Sequence, residues 1–408
     1  MIDENIFLYA SILFLLMRGT WEFKYFHGKI SPLVIYSFCY FYFCFGPYIA
    51  FMLDIPIYSG IKTDELLQSS LVFFLAIFAL SVTPSNFLST IKTPYEILIK
   101  SPKLIQQSTF LLMAVPVLIV FAFAFMRIGF SPLDKVQRIQ AVGILHYVIL
   151  TLWPLFLFCY LTVSPLKKME NKTKTRFILV VLFYFSYCFY MGERDFALIA
   201  VPLYFWFYKG KTLAIWKLFL FVLIGGAVFT LMSGGRSSEF DASGLGSFLN
   251  QGSNLMVTSN IIAWLEHGID KWWGMSYISS FFNMLSLGAI KLTQPLAIWF
   301  SQNYSSAAND GAYGFSLEGE VLLNFGFAGV PIVFAMIAVC ISAAFKGYEQ
   351  DKPFGTLMTY FILFYFIYAI RGESLIIFKS FIYCCLIFFV LVYLSQKGRF
   401  YFKYQYTS

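Results

Sequence analysis

Run after run of apolar residues in this chain is long enough to cross a bilayer, and that feature excludes folding around one aqueous core. A crossing helix needs about 20 residues at about 1.5 Å of rise each. Candidate spans lie at 4–17, 31–53, 66–83, 109–128, 145–163, 177–191, 196–208, 216–232, 322–345, 357–370 and 375–394. The runs are continuous, without the alternation of a barrel strand. Since lipid offers no partner to backbone polar groups, helices are the remaining solution. The expected fold is an all-α polytopic membrane protein of about eleven transmembrane helices. It is one integral membrane domain, 1–408.

Charge sets the orientation. Only 12% of residues are charged, roughly half the usual share of a soluble domain. The net charge of +8 does not point to nucleic acid, because the basic residues sit in short loops between spans, where they orient a membrane protein. With the basic tail 395–408 placed inside the cell, alternation puts 19 of the 29 Lys and Arg inside and 16 of the 21 acids outside. The N-terminus then falls outside. Asp3 and Glu4 stand where a cleavable signal would carry basic residues, so no signal is expected. The seven cysteines lie in apolar runs without metal-ligand spacing and read as small core residues.

Residues 233–321 form one large external loop expected to contain short helices. Its stretch Met275–Ile290 is Ser-rich and short. If it crossed, the basic tail would end outside, so it reads as an amphipathic or re-entrant helix at the outer surface. Loops of this length are usually functional.

Arginine is distributed differently from lysine. Lys divides 16 inside to 5 outside, whereas Arg divides 3 to 5. Orientation works equally well with either, so it leaves the outer Arg127, Arg138, Arg194, Arg236 and Arg371 unexplained. A guanidinium is a planar, permanently charged fork that matches two phosphate oxygens at once. Three of the five lie beside glycine: Gly192-Glu193-Arg194-Asp195, Gly234-Gly235-Arg236 and Arg371-Gly372-Glu373. An outward-facing pyrophosphate site is the functional reading. Ion pairs of Arg194 with Glu193 or Asp195, and of Arg371 with Glu373, are the structural one.

Two carboxylates, Glu318 and Glu320, enter a span at its outer end. A partly desolvated carboxylate has a raised pKa and suits proton abstraction from a sugar hydroxyl. Equally, acids favour the positive end of a helix, with Ser316 as the N-cap. In the loop, His267 is a candidate acid or base, and a hydrogen-bonded surface histidine is the ordinary alternative. Trp272, Trp273 and Tyr313 suit sugar faces or an interfacial aromatic belt. No metal cluster, P-loop or dinucleotide fingerprint is present, so neither metal nor cofactor is implied.

The order of many spans, a large late outer loop, then Gly314-Phe315-Ser316-Leu317-Glu318-Gly319-Glu320 leading to Asn324-Phe325-Gly326 and Gly329 resembles the O-antigen repeat-unit polymerases (Wzy-type). Gly274-Met275-Ser276-Tyr277, with Pro295 beyond it, resembles their outer loop. The resemblance implies a metal-independent membrane glycosyltransferase of the bacterial inner membrane, active at the periplasmic face. It would move a growing glycan from undecaprenyl pyrophosphate to a new lipid-linked unit. On that reading Arg194, Arg236 and Arg371 neutralise the leaving pyrophosphate, and Glu320 or Glu318 positions or deprotonates the acceptor. A chain-length regulator is a candidate further partner. The O-antigen ligase shares this architecture. A flippase or other transporter would gather its polar residues at the midplane, often in two related halves, and a membrane acyltransferase has only the Arg18 to His27 spacing in its favour.

Overall fold

The computed structural model describes residues 5–55, 60–84, 95–97, 99, 101–131, 133, 135–166, 169–193, 195–209, 249, 253–286, 289–304, 314–396 and 402–404. Among these there are fifteen α-helices: α1 Ile6–Tyr25, α2 Pro32–Met52, α3 Leu66–Val82, α4 Pro102–Ile128, α5 Lys135–Val142, α6 Ile144–Val163, α7 Asn171–Met191, α8 Ala200–Tyr208, α9 Asn254–Glu266, α10 Met275–Leu285, α11 Leu296–Tyr304, α12 Leu317–Phe325, α13 Gly329–Glu349, α14 Pro353–Ala369 and α15 Ser374–Ser395. Eight are long and apolar enough to cross a membrane: α1, α2, α3 with the turn before it (Thr63–Val82), α4, α6, α7, α13 and α15. Ala197–Tyr208 and α14 are apolar but shorter. The protein is a multi-pass membrane protein, as expected. The span at 216–232 lies outside the described residues.

One expected span is cut differently. The run 322–345 breaks at Gly326, whose φ of 66° suits a residue without a Cβ. Its first residues belong to α12, a buried nine-residue helix, and the crossing helix α13 starts at Gly329.

The chain packs as two compact units. The first takes Met1–Thr90, Asp241–Ala343 and Tyr365–Ile382; the second takes Ile91–Phe240, Ala344–Phe364 and Tyr383–Ser408. In the first, α1 and α3 meet through aromatic edges, with Phe14 and Phe78 centred 5.1 Å apart. Ser31 caps α2 by accepting the Val34 N–H, with Pro32 in the first turn. Arg18 is buried, with both terminal nitrogens engaged. It pairs with Glu22 one turn on and donates to the Ser81 and Thr83 carbonyls at 2.9 and 2.7 Å. This is how a charge survives near a span end.

In the second unit Trp153 of α6 stacks on Tyr184 of α7 with ring centres 3.8 Å apart. A short antiparallel ladder pairs Tyr95–Ile97 with Phe402–Tyr404.

The described part of the large loop holds α9, α10, α11 and the start of α12. The α10 helix has 11 residues, about 16 Å, too short to cross. Its polar face points inward: Ser276, Ser279, Ser280 and Asn283 are buried, while Met275, Ile278, Phe281, Phe282 and Leu285 are exposed. A helix with its apolar side outward suits the interfacial position expected for this stretch.

Candidate functional site

Helix α12 carries the two acids. Ser316 is its N-cap, accepting the Gly319 N–H at 3.1 Å. Gly319 allows α12 to close on α9, since a Cβ there would come within 2.9 Å of Val257 Cγ1. That approach brings Asn254 of α9 to Glu318. The Asn254 amide donates to Glu318 Oε1 at 2.9 Å and to the Ile370 carbonyl at 2.8 Å. Thr258 Oγ1 and the Cys44 thiol also face Glu318 Oε1, at 3.4 and 3.7 Å.

Both carboxylates are fully buried, but they differ. Glu320 is saturated. Its Oε1 accepts from Ser276 Oγ at 2.6 Å and Ser374 Oγ at 2.8 Å, and its Oε2 accepts the Ser374 N–H at 2.6 Å. It therefore holds the first residue of α15, where an acid also suits the helix dipole. Glu318 is half satisfied: its Oε2, like Asn254 Oδ1, is buried without a hydrogen-bond partner among the described residues. Burial pushes the Glu318 carboxyl up to about 7 and raises Glu320 as well.

The raised Glu318 value predicts a pH effect on stability. From the ordinary 4.5 up to about 7 only the unfolded carboxyl ionises, so the stability present in acid falls as pH rises through that window. The melting temperature in detergent should drop between about pH 4.5 and pH 7, and less steeply in Glu318→Gln. An unchanged slope in that variant would mean this carboxyl does not titrate there.

The two acids serve one turn. Residues 370–374 join α14 to α15. Ile370 O accepts from Asn254 and from the Leu317 N–H, Glu320 holds Ser374, and Glu373 Oε2 accepts the Leu296 N–H at the start of α11, at 2.7 Å. Arg371 sits in this turn with its guanidinium 5.5 Å from the Phe43 ring centre. Glu373 is half-buried, and burial pushes its carboxyl up to about 7. The sequence marked Glu373 only as a partner for Arg371, yet its hydrogen bond goes to α11.

Beside the turn, residues 272–274 follow the end of α12. The Trp272 and Trp273 N–H groups donate to the Leu323 and Asn324 carbonyls, and Gly274 N–H donates to Asn324 Oδ1. Trp273 has φ of 49°, a strained setting for a large residue, and is 75% exposed. Trp272 packs edge-on against Trp299 at 5.1 Å, and Trp299 against Trp264 at 5.7 Å. Trp273 is outside that aromatic cluster, with the Lys271 ammonium over its ring at 5.9 Å, whereas Trp272 belongs to it. His267 is exposed, and its Nδ1 lies 2.6 Å from the Ala263 carbonyl.

Against this geometry, residues 3–403 match the family model for the O-antigen polysaccharide polymerase Wzy. The chain belongs to that family. No curated protein matches the chain, and no solved structure does. As a Wzy-family member it is an O-antigen polymerase, an enzyme of glycosyltransferase-type polymerisation embedded in a membrane.

Within this polymerase, Glu318, Glu320, Arg371, His267, Trp272 and Trp273 belong to the first unit, and Arg127 and Arg138 to the second. Arg194, Arg236 and Tyr313 lie outside the described residues. Arg127 is exposed and stacks on Phe123 at 5.3 Å. Arg138 serves the backbone, donating to the Leu133 and Tyr190 carbonyls at 2.9 and 2.6 Å.

One cluster of the second unit escaped sequence reasoning. His146 is buried, 2.8 Å from Tyr187 Oη and 3.0 Å from Glu193 Oε1, and Lys135 donates to Glu193 Oε2 at 2.8 Å. Burial raises the Glu193 carboxyl, but the His146 hydrogen bond and the Lys135 charge outweigh it and hold the group below the ordinary value. The Glu193 carboxylate is thereby engaged by Lys135 and His146. Among the described residues no His, Cys, Asp and Glu group could hold a metal ion.

Proposed function

We propose that this polymerase joins undecaprenyl-pyrophosphate-linked oligosaccharide units at the periplasmic face of the bacterial inner membrane. The family match across 3–403 carries the reading. The acceptor hydroxyl attacks the anomeric carbon of the donor glycan, the bond from that carbon to the pyrophosphate oxygen breaks, and the lipid pyrophosphate leaves with the electron pair. Charge builds on the leaving group, so a preorganised guanidinium gains more contact energy in the transition state than before it. Arg371, fixed in a turn anchored by three helices, supplies that contact in the first unit. Arg194 and Arg236, beside glycines, are the further candidates for the same phosphate oxygens.

Glu318 and Glu320 act by position in this scheme. Neither carboxylate is open to a substrate; both tie α12 to the turn that carries Arg371, Glu318 through Asn254 and Glu320 directly. Trp273 is the ring best placed to stack on a sugar face.

A glycan ladder tests the activity. Cells lacking the gene should carry a single repeat unit on lipid A core, and the wild-type gene should restore the ladder. Loss of all capped core, with lipid-linked polymer accumulating, would identify a ligase instead. Units retained inside the cell would identify a flippase.

A further inference from the structure

A narrow polar cleft with about 10 Å³ of enclosed space opens between α10, the segment leading into α11 and the 370–374 turn. Its lining residues include Ser279, Ser280, Asn283, Thr293, Gln294 and Glu373. No cation is among its lining residues. Ser279 Oγ is used by the Thr293 N–H at 2.9 Å. The side chains of Ser280, Asn283, Thr293 and Gln294 make no hydrogen bond among the described residues, nor does Glu373 Oε1. Four neutral donor–acceptor side chains and the Glu373 carboxyl thus line the same small space.

The chemistry of that set selects its ligand. A phosphate would meet a carboxylate and no compensating cation, which is unfavourable. A sugar hydroxyl suits it: it donates and accepts, as do serine, threonine and the amides. The enclosed space is about that of one water, so it takes a single sugar hydroxyl and leaves the ring at its mouth. The outer face of α10 is apolar, which sets the cleft at the depth of a lipid headgroup.

Resting on the polymerase reading above, we propose that this cleft is the acceptor subsite. Its hydroxyls and amides hold the attacking hydroxyl of the terminal sugar of the incoming lipid-linked unit, and Glu373 takes its proton. As the oxygen–carbon bond forms and the pyrophosphate departs with its electron pair, the proton moves to Glu373 Oε1. Oε2 stays on the Leu296 N–H, which fixes the carboxylate. Burial and then the Glu320 charge raise this carboxyl to about 7, suited to a base working near neutral pH. The lining residues of α10 and the first turn of α11 bring no charge to it, and Arg371 lies in its own turn.

The test uses the full-length protein in nanodiscs and undecaprenyl-pyrophosphate-linked repeat units extracted from cells lacking the gene. Wild-type turnover should rise with pH through about 7. Glu373→Gln keeps an acceptor for Leu296, so it should fold, yet lose about 100-fold in kcat with little change in KM, and lose the pH rise. Asn283→Ala and Gln294→Ala should each raise the acceptor KM about ten-fold with kcat preserved. Wild-type polymer from Glu373→Gln with an unaltered pH profile overturns the assignment and leaves the polymerase reading intact. If Glu373→Gln does not accumulate, the two amide variants decide, and an unchanged acceptor KM in both overturns the subsite. No polymer from the wild type with these units overturns both readings.

Discussion

Glu320→Ala should abolish polymer by removing the folded protein from the membrane, whereas Glu320→Gln should retain most of both. Alanine strips partners from three buried donors: the Ser276 hydroxyl, the Ser374 hydroxyl and the Ser374 N–H. Each stranded group costs about 1–3 kcal/mol, so the sum is on the order of 5 kcal/mol, comparable to the whole stability of many domains. Glutamine keeps one oxygen for the Ser374 N–H, and its amide donates to a serine hydroxyl that turns to accept. The measurement is the amount of monodisperse protein extracted from membranes, run beside the glycan ladder. A true proton-transferring base would behave differently: glutamine would preserve the protein and lose the polymer. That outcome would overturn the positioning role of Glu320.

The membrane architecture was legible because bilayer thickness and backbone satisfaction act on contiguous sequence. The same holds for the α10 stretch, whose length and serines excluded a crossing. The break at Gly326 was harder to see, because the apolar run passes through it without a polar residue and only the backbone conformation separates α12 from α13. Glu318 and Glu320 were legible as acids at a helix start, and Ser316 as a cap. Their division of labour was not: it depends on Ser276 and Ser374, each roughly fifty residues from Glu320, closing on one carboxylate. Glu373 had even less local signal. Its interest comes from Leu296 and the α10 serines, brought to it only by tertiary packing. His146 reads in sequence as one residue at a span edge, and becomes a buried group only when Glu193, beyond the next span, folds back to it.

Arg371→Ala should lower polymer turnover about 100-fold or more while leaving the protein abundant. The guanidinium sits over the Phe43 ring, a contact worth about 0.5–1 kcal/mol at exposed sites, and the amount of monodisperse protein extracted from membranes is measured beside the rate so that a loss of fold is separated from a loss of turnover. A phosphate contact made in the transition state is worth far more, because charge grows on the leaving oxygen as the glycosidic carbon departs. Arg371→Lys separates charge from shape. Lysine restores a positive charge but not the two-pronged fork, so it should recover part of the rate. The effect should fall on kcat, with the acceptor KM nearly unchanged, since the acceptor cleft is lined by other groups. Phe43→Leu is the control: it removes the ring beneath the guanidinium but not the guanidinium, and should cost only a few-fold. If Phe43→Leu is as damaging as Arg371→Ala, the arginine matters as a packing element of α2 and the turn. If Arg371→Ala polymerises at the wild-type rate, the leaving pyrophosphate is neutralised elsewhere, and Arg194 and Arg236 become the next residues to replace.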